Sequence, residues 1–513
     1  MVALMRLKRD SYLDSVALLA AIRGMSESDG VEWASAVMAT PANVAGLEAE
    51  GFDGDALSAA GANDLLLAVR ARTEQCALAA LDAGDDALFT TSAHEQLHGR
   101  AARSVRSLDA AVTAQTGSNV VIVSVPGAYA ALEAHKALAA GLDVLLFSDN
   151  VSVDDEVALK DHAAAVGHLV MGPGAGTAVL GGCGLGFANV VSRGRVGVVA
   201  AAGTGAQEVM ALLDRAGEGV SQVIGVGGRD LSTAVGGRMA RLAVQALDRD
   251  PNTDVILLVS KPPALDVARS VVGSASSTPV VAGLIGVASD TNIDGASAVS
   301  PTLEGAVTAT LRLLGRPRPD YSTGLVDEVV RVLPGLAHKR TLISGLYSGG
   351  TLCYEALTLL QPLVGAVWSN TPLDKQFTVP APAGAHVCLD LGEEEYTKGR
   401  PHPMIDPQAR IEWLHRVAVQ DDLAVVVLDV VLGDGAHADP LAELGPVCAA
   451  IAWVGGPRVV VYVLGTQGDP QGLARQREGF QQVGCLVAPT AARAALAAAA
   501  IALRQPELVG RGL

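Results

Sequence analysis

The chain alternates short apolar runs with longer stretches rich in Ala and Leu. The runs at 120–125, 144–147, 169–171, 196–200, 223–226, 255–259, 280–284, 342–346, 386–391, 424–430 and 458–464 are rich in Val, Ile and Leu. Continuous apolar runs of this length predict strands buried on both faces, as in parallel sheets. The stretches between them predict helices, and strand–helix alternation predicts a doubly wound α/β architecture. We expect three Rossmann- or flavodoxin-like parallel-sheet units. They are a Rossmann-type domain over 1–190, a flavodoxin-like domain over 191–314, and a second flavodoxin-like domain over 336–513. A linker over 315–335 opens with Gly-Arg-Pro-Arg-Pro.

Two of the strand ends run into turns of one design. The first reads Val198-Val199-Ala200-Ala201-Ala202-Gly203-Thr204-Gly205-Ala206-Gln207-Glu208, the second Gly345-Leu346-Tyr347-Ser348-Gly349-Gly350-Thr351-Leu352-Cys353-Tyr354-Glu355. Each is an apolar strand, a Gly-Thr turn and a helix with a Glu in its first turns. Glycine lets backbone approach an anion, and a helix start offers free N–H groups and a positive dipole end. Gly203, Thr204, Gly205, Gly349, Gly350 and Thr351 are therefore candidate phosphate donors, placed where parallel sheets bind ligands. Glu208 and Glu355 have two readings: groups that orient a substrate, or helix-start acids that complement the dipole.

Other candidates lie in loops after strands. Arg400, His402 and Asp406 share a proline-punctuated segment. Histidine titrates near neutrality and arginine can clamp a carboxylate with two parallel bonds. His437 and Asp439 follow the strand that holds Asp429, as an acid/base pair or a helix-cap cluster. Arg229 and Lys261 follow two further strands, and a cation there can neutralise a phosphoryl oxygen.

Composition narrows the class. The 513 residues are 3% aromatic, so the core is built from Val, Leu, Ile and Ala. A formal net charge of −17 argues against a nucleic-acid surface. The six cysteines are scattered with no CxxC pair, which predicts no metal or redox motif and fits a reducing cytoplasm. The amino terminus lacks an apolar signal core. The uncharged stretch 270–289 is broken by Ser, Gly and Pro, and reads as a loop and one strand rather than a membrane span.

These pieces resemble a known family. Val123-Ser124-Val125-Pro126, the helix through His135 to Gly141, Val170-Met171-Gly172-Pro173, the Gly203 turn and Gly225-Val226-Gly227-Gly228-Arg229-Asp230 resemble the alpha subunit of succinyl-CoA synthetases. Cys388-Leu389-Asp390-Leu391-Gly392 and the stretch from Val427 to Gly435 resemble the carboxyl-terminal domain of the beta subunit. Thr40–Asn43, Ser148–Val151, Ser260–Pro263 and 399–407 extend the likeness to the fused FdrA family over nearly the whole chain. The resemblance implies a CoA-binding-like first domain followed by alpha-like and beta-like ligase domains. It also implies a second phosphate-facing helix end at Gly433-Asp434-Gly435, with Asp434 as its cap.

Three departures qualify what it implies. The family's phosphorylated histidine has no counterpart in 286–304, no nucleotide-binding ATP-grasp domain is present, and 6–24 has no glycine cluster for CoA phosphates. Nucleotide-driven CoA ligation by this chain alone is disfavoured. The resemblance implies instead the oxamate carbamoyltransferase reaction of allantoin breakdown. There oxalurate and phosphate interconvert with oxamate and carbamoyl phosphate, a chemistry that needs no nucleotide and no CoA. Further subunits would complete the site in an oligomer, with no nucleic acid or membrane as partner. An acyl-CoA synthetase subunit and a metabolite-binding scaffold are the alternatives.

Overall fold

The computed structural model describes residues 1–513 apart from 10, 12, 14, 62–63, 97–104, 106, 398–400 and 454–455. The chain divides into two compact units, one of Met1–Val105 with Thr397–Pro401, the other of Arg106–Tyr396 with His402–Leu513.

The first unit is antiparallel. Strands β1 (Val2–Lys8), β2 (Val31–Met38) and β3 (Leu65–Ala71) form a sheet ordered β1-β3-β2, with Val2 opposite Ala71 and Lys8 opposite Leu65. Side chains alternate across a strand. Leu65, Leu67 and Val69 accordingly pack with Ala21 and Met25 of helix Ser15–Ser26 and with Ala77, Ala80 and Leu81 of helix Glu74–Gln96. Leu66 and Ala68 pack on the other face with Leu47, Phe52 and Leu57. This corrects the expected single Rossmann-type domain over 1–190. A central antiparallel strand covered on both faces has the same apolar run as a parallel one, so periodicity does not separate them.

The second unit carries the expected parallel sheets. Strands β4 (Val120–Val123), β5 (Asp143–Leu146) and β6 (Val170–Met171) form the first, in that order. The second begins with the hairpin β7 (Thr177–Leu180) and β8 (Cys183–Gly186). It continues with β9 (Arg193–Ala201), β10 (Val220–Gly225), β11 (Val255–Ser260), β12 (Val280–Leu284) and β13 (Ala296–Ser300), in the order β13-β12-β11-β9-β10-β7-β8. From β9 to β13 the pairing is parallel and the order flavodoxin-like.

The third sheet is parallel throughout. Its strands are β14 (Leu342–Tyr347), β15 (Val367–Trp368), β16 (His386–Asp390), β17 (Leu423–Val431), β18 (Arg458–Leu464) and β19 (Leu486–Ala488), ordered β15-β16-β14-β17-β18-β19.

The second and third sheets share one core. Val198, Val209 and Leu212 belong to the same buried cluster as Leu352, Leu357 and Leu496. Helix Ala491–Leu503 is buried from Ala491 to Ala502. Its nine alanines let neighbouring backbones approach from every side, which accounts for an Ala-rich helix in a core with few aromatics. The expected linker at 315–335 holds a helix, Leu325–Val332, with Leu325 and Val329 buried in this core. Arg458 fastens the segment by donating to the carbonyls of Val332 and Pro334. Among the described residues no helix is long and apolar enough to cross a membrane.

Candidate functional site

The two Gly-Thr turns meet. Helix Gly203–Arg215 starts just after β9 ends, and helix Gly350–Val364 starts three residues beyond the end of β14. Their N-caps, Ala202 and Gly349, are extended and offer no side-chain cap. The first residues whose N–H bonds back along each chain are Ala206, to Ala202, and Cys353, to Gly349. The N–H groups of Gly203, Thr204 and Gly205, and of Gly350, Thr351 and Leu352, therefore have no partner among the described residues.

The contact is reciprocal. The Thr204 side chain lies against Gly349, where a Cβ would stand 2.7 Å from its Oγ1. The Thr351 methyl lies 2.7 Å from where a Cβ on Gly205 would be. Each glycine is required by the opposite threonine. Thr204 is 5% exposed and Thr351 1%, yet neither hydroxyl has a hydrogen-bond partner among the described residues. Buried polar groups are almost always paired. Two orphan hydroxyls beside two uncapped helix starts leave a cluster of unused donors, an arrangement that suits an anion.

Charged groups flank this junction. A Cβ on Gly350 would be 2.7 Å from Lys261 Nζ and 2.6 Å from Asp390 Oδ2. Lys261 Nζ is also 3.7 Å from Glu393 Oε1 and 5.9 Å from the Tyr354 ring centroid. Burial pushes Asp390 up to about 7, against the pull of Lys261. Beyond Gly392 lies His402, its Nε2 2.8 Å from where a Cβ on that glycine would be. Burial and then the Arg410 charge push His402 down to about 4, so it is a neutral imidazole at neutral pH. Its Nδ1 accepts from the Met404 N–H at 3.3 Å.

A buried ion pair fixes the second turn from behind. Asp429, on β17, accepts from the Ser348 N–H at 2.9 Å and its hydroxyl at 2.9 Å, and Arg410 Nη1 donates to Asp429 at 2.9 Å. The approach to Gly349 is thus set by a carboxylate that the sequence reading placed only near His437.

Other candidates lie elsewhere. Glu208 and Glu355 face away from the junction and cap helices of the opposite domain. Glu355 Oε1 accepts from the N–H of Leu303, first residue of helix Leu303–Leu313, at 2.6 Å. Glu208 accepts from the N–H of Ala491, first residue of helix Ala491–Leu503, at 3.4 Å and from the Tyr462 hydroxyl. Burial pushes Glu208 to about 7 and Glu355 to about 8. In the repeated Gly-Thr-x-x-x-Glu the Gly-Thr start thus carries the unpaired donors and the Glu clasps the opposite domain, and this geometry gives neither Glu a path to a substrate.

The expected helix end at Gly433-Asp434-Gly435 is also corrected. The next helix starts at Pro440. Gly433 N–H donates to Gln471 at 3.0 Å and Asp434 N–H to the Ala188 carbonyl at 2.8 Å, so these donors are spent and Asp434 caps no helix. Gly433 and Gly435 are needed for positive φ, 112° and 78°. The helix that faces helix Gly203–Arg215 is helix Gly350–Val364. His437 Nδ1 accepts from the Asp439 N–H at 3.1 Å, a local turn bond that gives the cluster reading over the acid/base pair. Arg229 is committed to Glu156 at 2.8 Å and to the Val151 carbonyl. Arg400 lies outside the described residues.

With this geometry established, comparisons place the chain. Residues 1–105 match the family model described as AllF, heavy metal-associated domain, and residues 346–501 match the CoA-ligase model. The Escherichia coli (strain K12) protein YahF, itself uncharacterized, is 36% identical over 509 residues, covering 96% of this chain and 97% of YahF. This chain belongs to that family, the FdrA-like proteins of the succinyl-CoA synthetase superfamily. The FdrA-like chain is also 30% identical over 156 residues to the succinate–CoA ligase [ADP-forming] alpha subunit of Methanothermobacter thermautotrophicus, 29% of this chain and 51% of that subunit. A solved acetyl-coenzyme A synthetase 1 of Ca. Korarchaeum cryptofilum aligns with 76% of this chain and 84% of its own at 16% identity, with a TM-score of 0.26.

A metal, which the first of these family names suggests, does not fit the residues described. The sequence has one cysteine in 1–105, Cys76, whose Sγ is 3.0 Å from where a Cβ on Gly30 would be. Among the described residues no three His, Cys, Asp or Glu side chains could hold a metal.

Proposed function

We propose that this FdrA-like chain is a subunit of a carbamoyltransferase that interconverts oxalurate and phosphate with oxamate and carbamoyl phosphate. The observation that carries the reading is the pair of uncapped, facing helix starts with orphan Thr204 and Thr351 hydroxyls. Phosphate oxygens would accept from Thr204, Gly205, Gly350 and Thr351, with Lys261 supplying the nearby full charge. Donors fixed in place cost no reorganisation as charge develops on the departing phosphate. The lack of a histidine in 286–304 also favours direct use of an acyl phosphate over a phosphohistidine. Oxamate would bring its carboxylate towards Lys261. Partner subunits would close the site.

The test is turnover by the chain with the subunits that co-purify with it, supplied with oxalurate and phosphate but no nucleotide or CoA. Carbamoyl phosphate formation supports the reading, and its absence under conditions where the complex stays folded counts against it. The second reading, an acyl-CoA synthetase subunit served by another chain's nucleotide site, is favoured by the CoA-ligase match over 346–501. It requires CoA-dependent turnover.

A further inference from the structure

The carboxyl group of Asp390 stands at the junction with one oxygen tethered and the other unused. Asn370 clamps its backbone from both sides, donating to the Asp390 carbonyl at 2.8 Å and accepting from its N–H at 2.9 Å. Oδ1 accepts from the Gly392 N–H at 2.9 Å. Oδ2 makes no hydrogen bond among the described residues and faces Gly350, the first residue of helix Gly350–Val364. Lys261 Nζ faces the same glycine, so any side chain at 350 would fill the gap between carboxylate and ammonium. The tether on Oδ1 thus fixes Oδ2 towards the first turn of helix Gly350–Val364, with the Lys261 ammonium on the other side of Gly350.

Resting on the carbamoyl-transfer reading, we infer that Asp390 is the proton acceptor of the reaction, with Lys261 and Asn370 as its positioning residues. The acceptor is a neutral amide nitrogen, which must shed a proton as it attacks. The nitrogen bonds to the carbamoyl carbon, the bond from that carbon to the phosphate oxygen breaks, and its electron pair leaves with phosphate. The N–H proton passes to Asp390 Oδ2 and then to the departing phosphate, so atoms and charge balance without a further reactant. A base works best when its pKa lies near the working pH. Burial holds Asp390 there, with Lys261, Glu393, Asp429 and Tyr354 as the surrounding titratable groups and His402 beyond Gly392.

The experiment compares wild type, Asp390→Asn and Lys261→Met in the purified complex. Carbamoyl phosphate affinity is read by calorimetry and turnover by oxalurate formation across pH 5.5–9. Asp390→Asn is expected to bind carbamoyl phosphate within about threefold of wild type and to lose about 100-fold or more in kcat, the range that a positioned base supplies. Wild-type kcat should rise with pH through a midpoint near 7. Lys261→Met should move that midpoint up, because the ammonium favours the ionised carboxyl; a merely structural Asp390 would not transmit this shift. Wild-type turnover with Asp390→Asn within about threefold in kcat overturns the role of Asp390 and leaves the transferase reading standing. A wild-type complex that neither binds nor turns over carbamoyl phosphate overturns both. If the Asn variant does not fold, the pH midpoint shift in Lys261→Met decides.

Discussion

Glu355→Gln should alter stability in opposite directions at the two ends of the accessible pH range. Glu355 is fully buried, bonded through Oε1 to the Leu303 N–H, and Oε2 has no partner among the described residues. Burial first, then the neighbouring Glu208, raise it from 4.5 to about 8. A carboxyl whose midpoint is raised on folding contributes stability that is complete below its unfolded value, about 4.5, and is lost as pH rises towards 8. At roughly 1.36 kcal/mol per pH unit the loss amounts to about 5 kcal/mol, an upper bound because Glu208 shares the same interface. Glutamine keeps the acceptor for Leu303 and cannot ionise. Its buried amide lacks a partner, which costs about 1–3 kcal/mol. Urea unfolding followed by tryptophan fluorescence should therefore find the variant slightly less stable than wild type at pH 5 and more stable at pH 8.5, with a much flatter pH dependence. Equal loss of midpoint in both proteins between those pH values would refute the assignment of a protonated Glu355 to the interdomain clasp.

Three further outcomes follow from the same geometry. Thr204→Ala or Thr351→Ala should weaken carbamoyl phosphate binding about 5- to 20-fold in calorimetry, yet leave the melting temperature unchanged or slightly raised, since each removes an unsatisfied buried hydroxyl. Gly349→Ala should abolish that binding, because its methyl would collide with Thr204; affinity within twofold of wild type would mean that the turns are not packed as described. Asp429→Ala should destabilise the chain by about 3–5 kcal/mol in thermal unfolding, because it strands the buried Arg410 charge.

All eleven apolar runs read from the sequence are strands, from β4 to β6, β9 to β12, β14 and β16 to β18. Those runs were legible because a parallel strand buried on both faces needs no polar alternation. The amino-terminal strands are not among the eleven runs: Val31–Met38 is broken by Glu32, Trp33 and Ser35, while Leu65–Ala71 carries the same apolar signal as the others and was missed. The Gly-Thr turns were legible as strand-to-helix turns with free donors, but nothing in one dimension says that they face each other. That follows from helices packing across a shared core. The same blindness explains Glu208 and Glu355, whose partners lie hundreds or tens of residues away. Asp390 lies within Cys388–Gly392, a stretch whose family resemblance assigns it no role. Its position as the last residue of a parallel strand, where ligands gather, was the available signal. The Gly433 turn misled because its glycines serve a left-handed loop docked on Ala188, with the helix starting later.

The central claim is that the facing Gly203 and Gly350 helix starts hold a phosphoryl group. The most direct measurement is calorimetric titration of the purified chain, wild type and a Thr204→Ala/Thr351→Ala double variant, with carbamoyl phosphate and separately with CoA. Wild type should bind carbamoyl phosphate saturably, the double variant at least tenfold more weakly, and neither should bind CoA. Undiminished carbamoyl phosphate affinity in the double variant, or binding of CoA alone, would contradict the central claim.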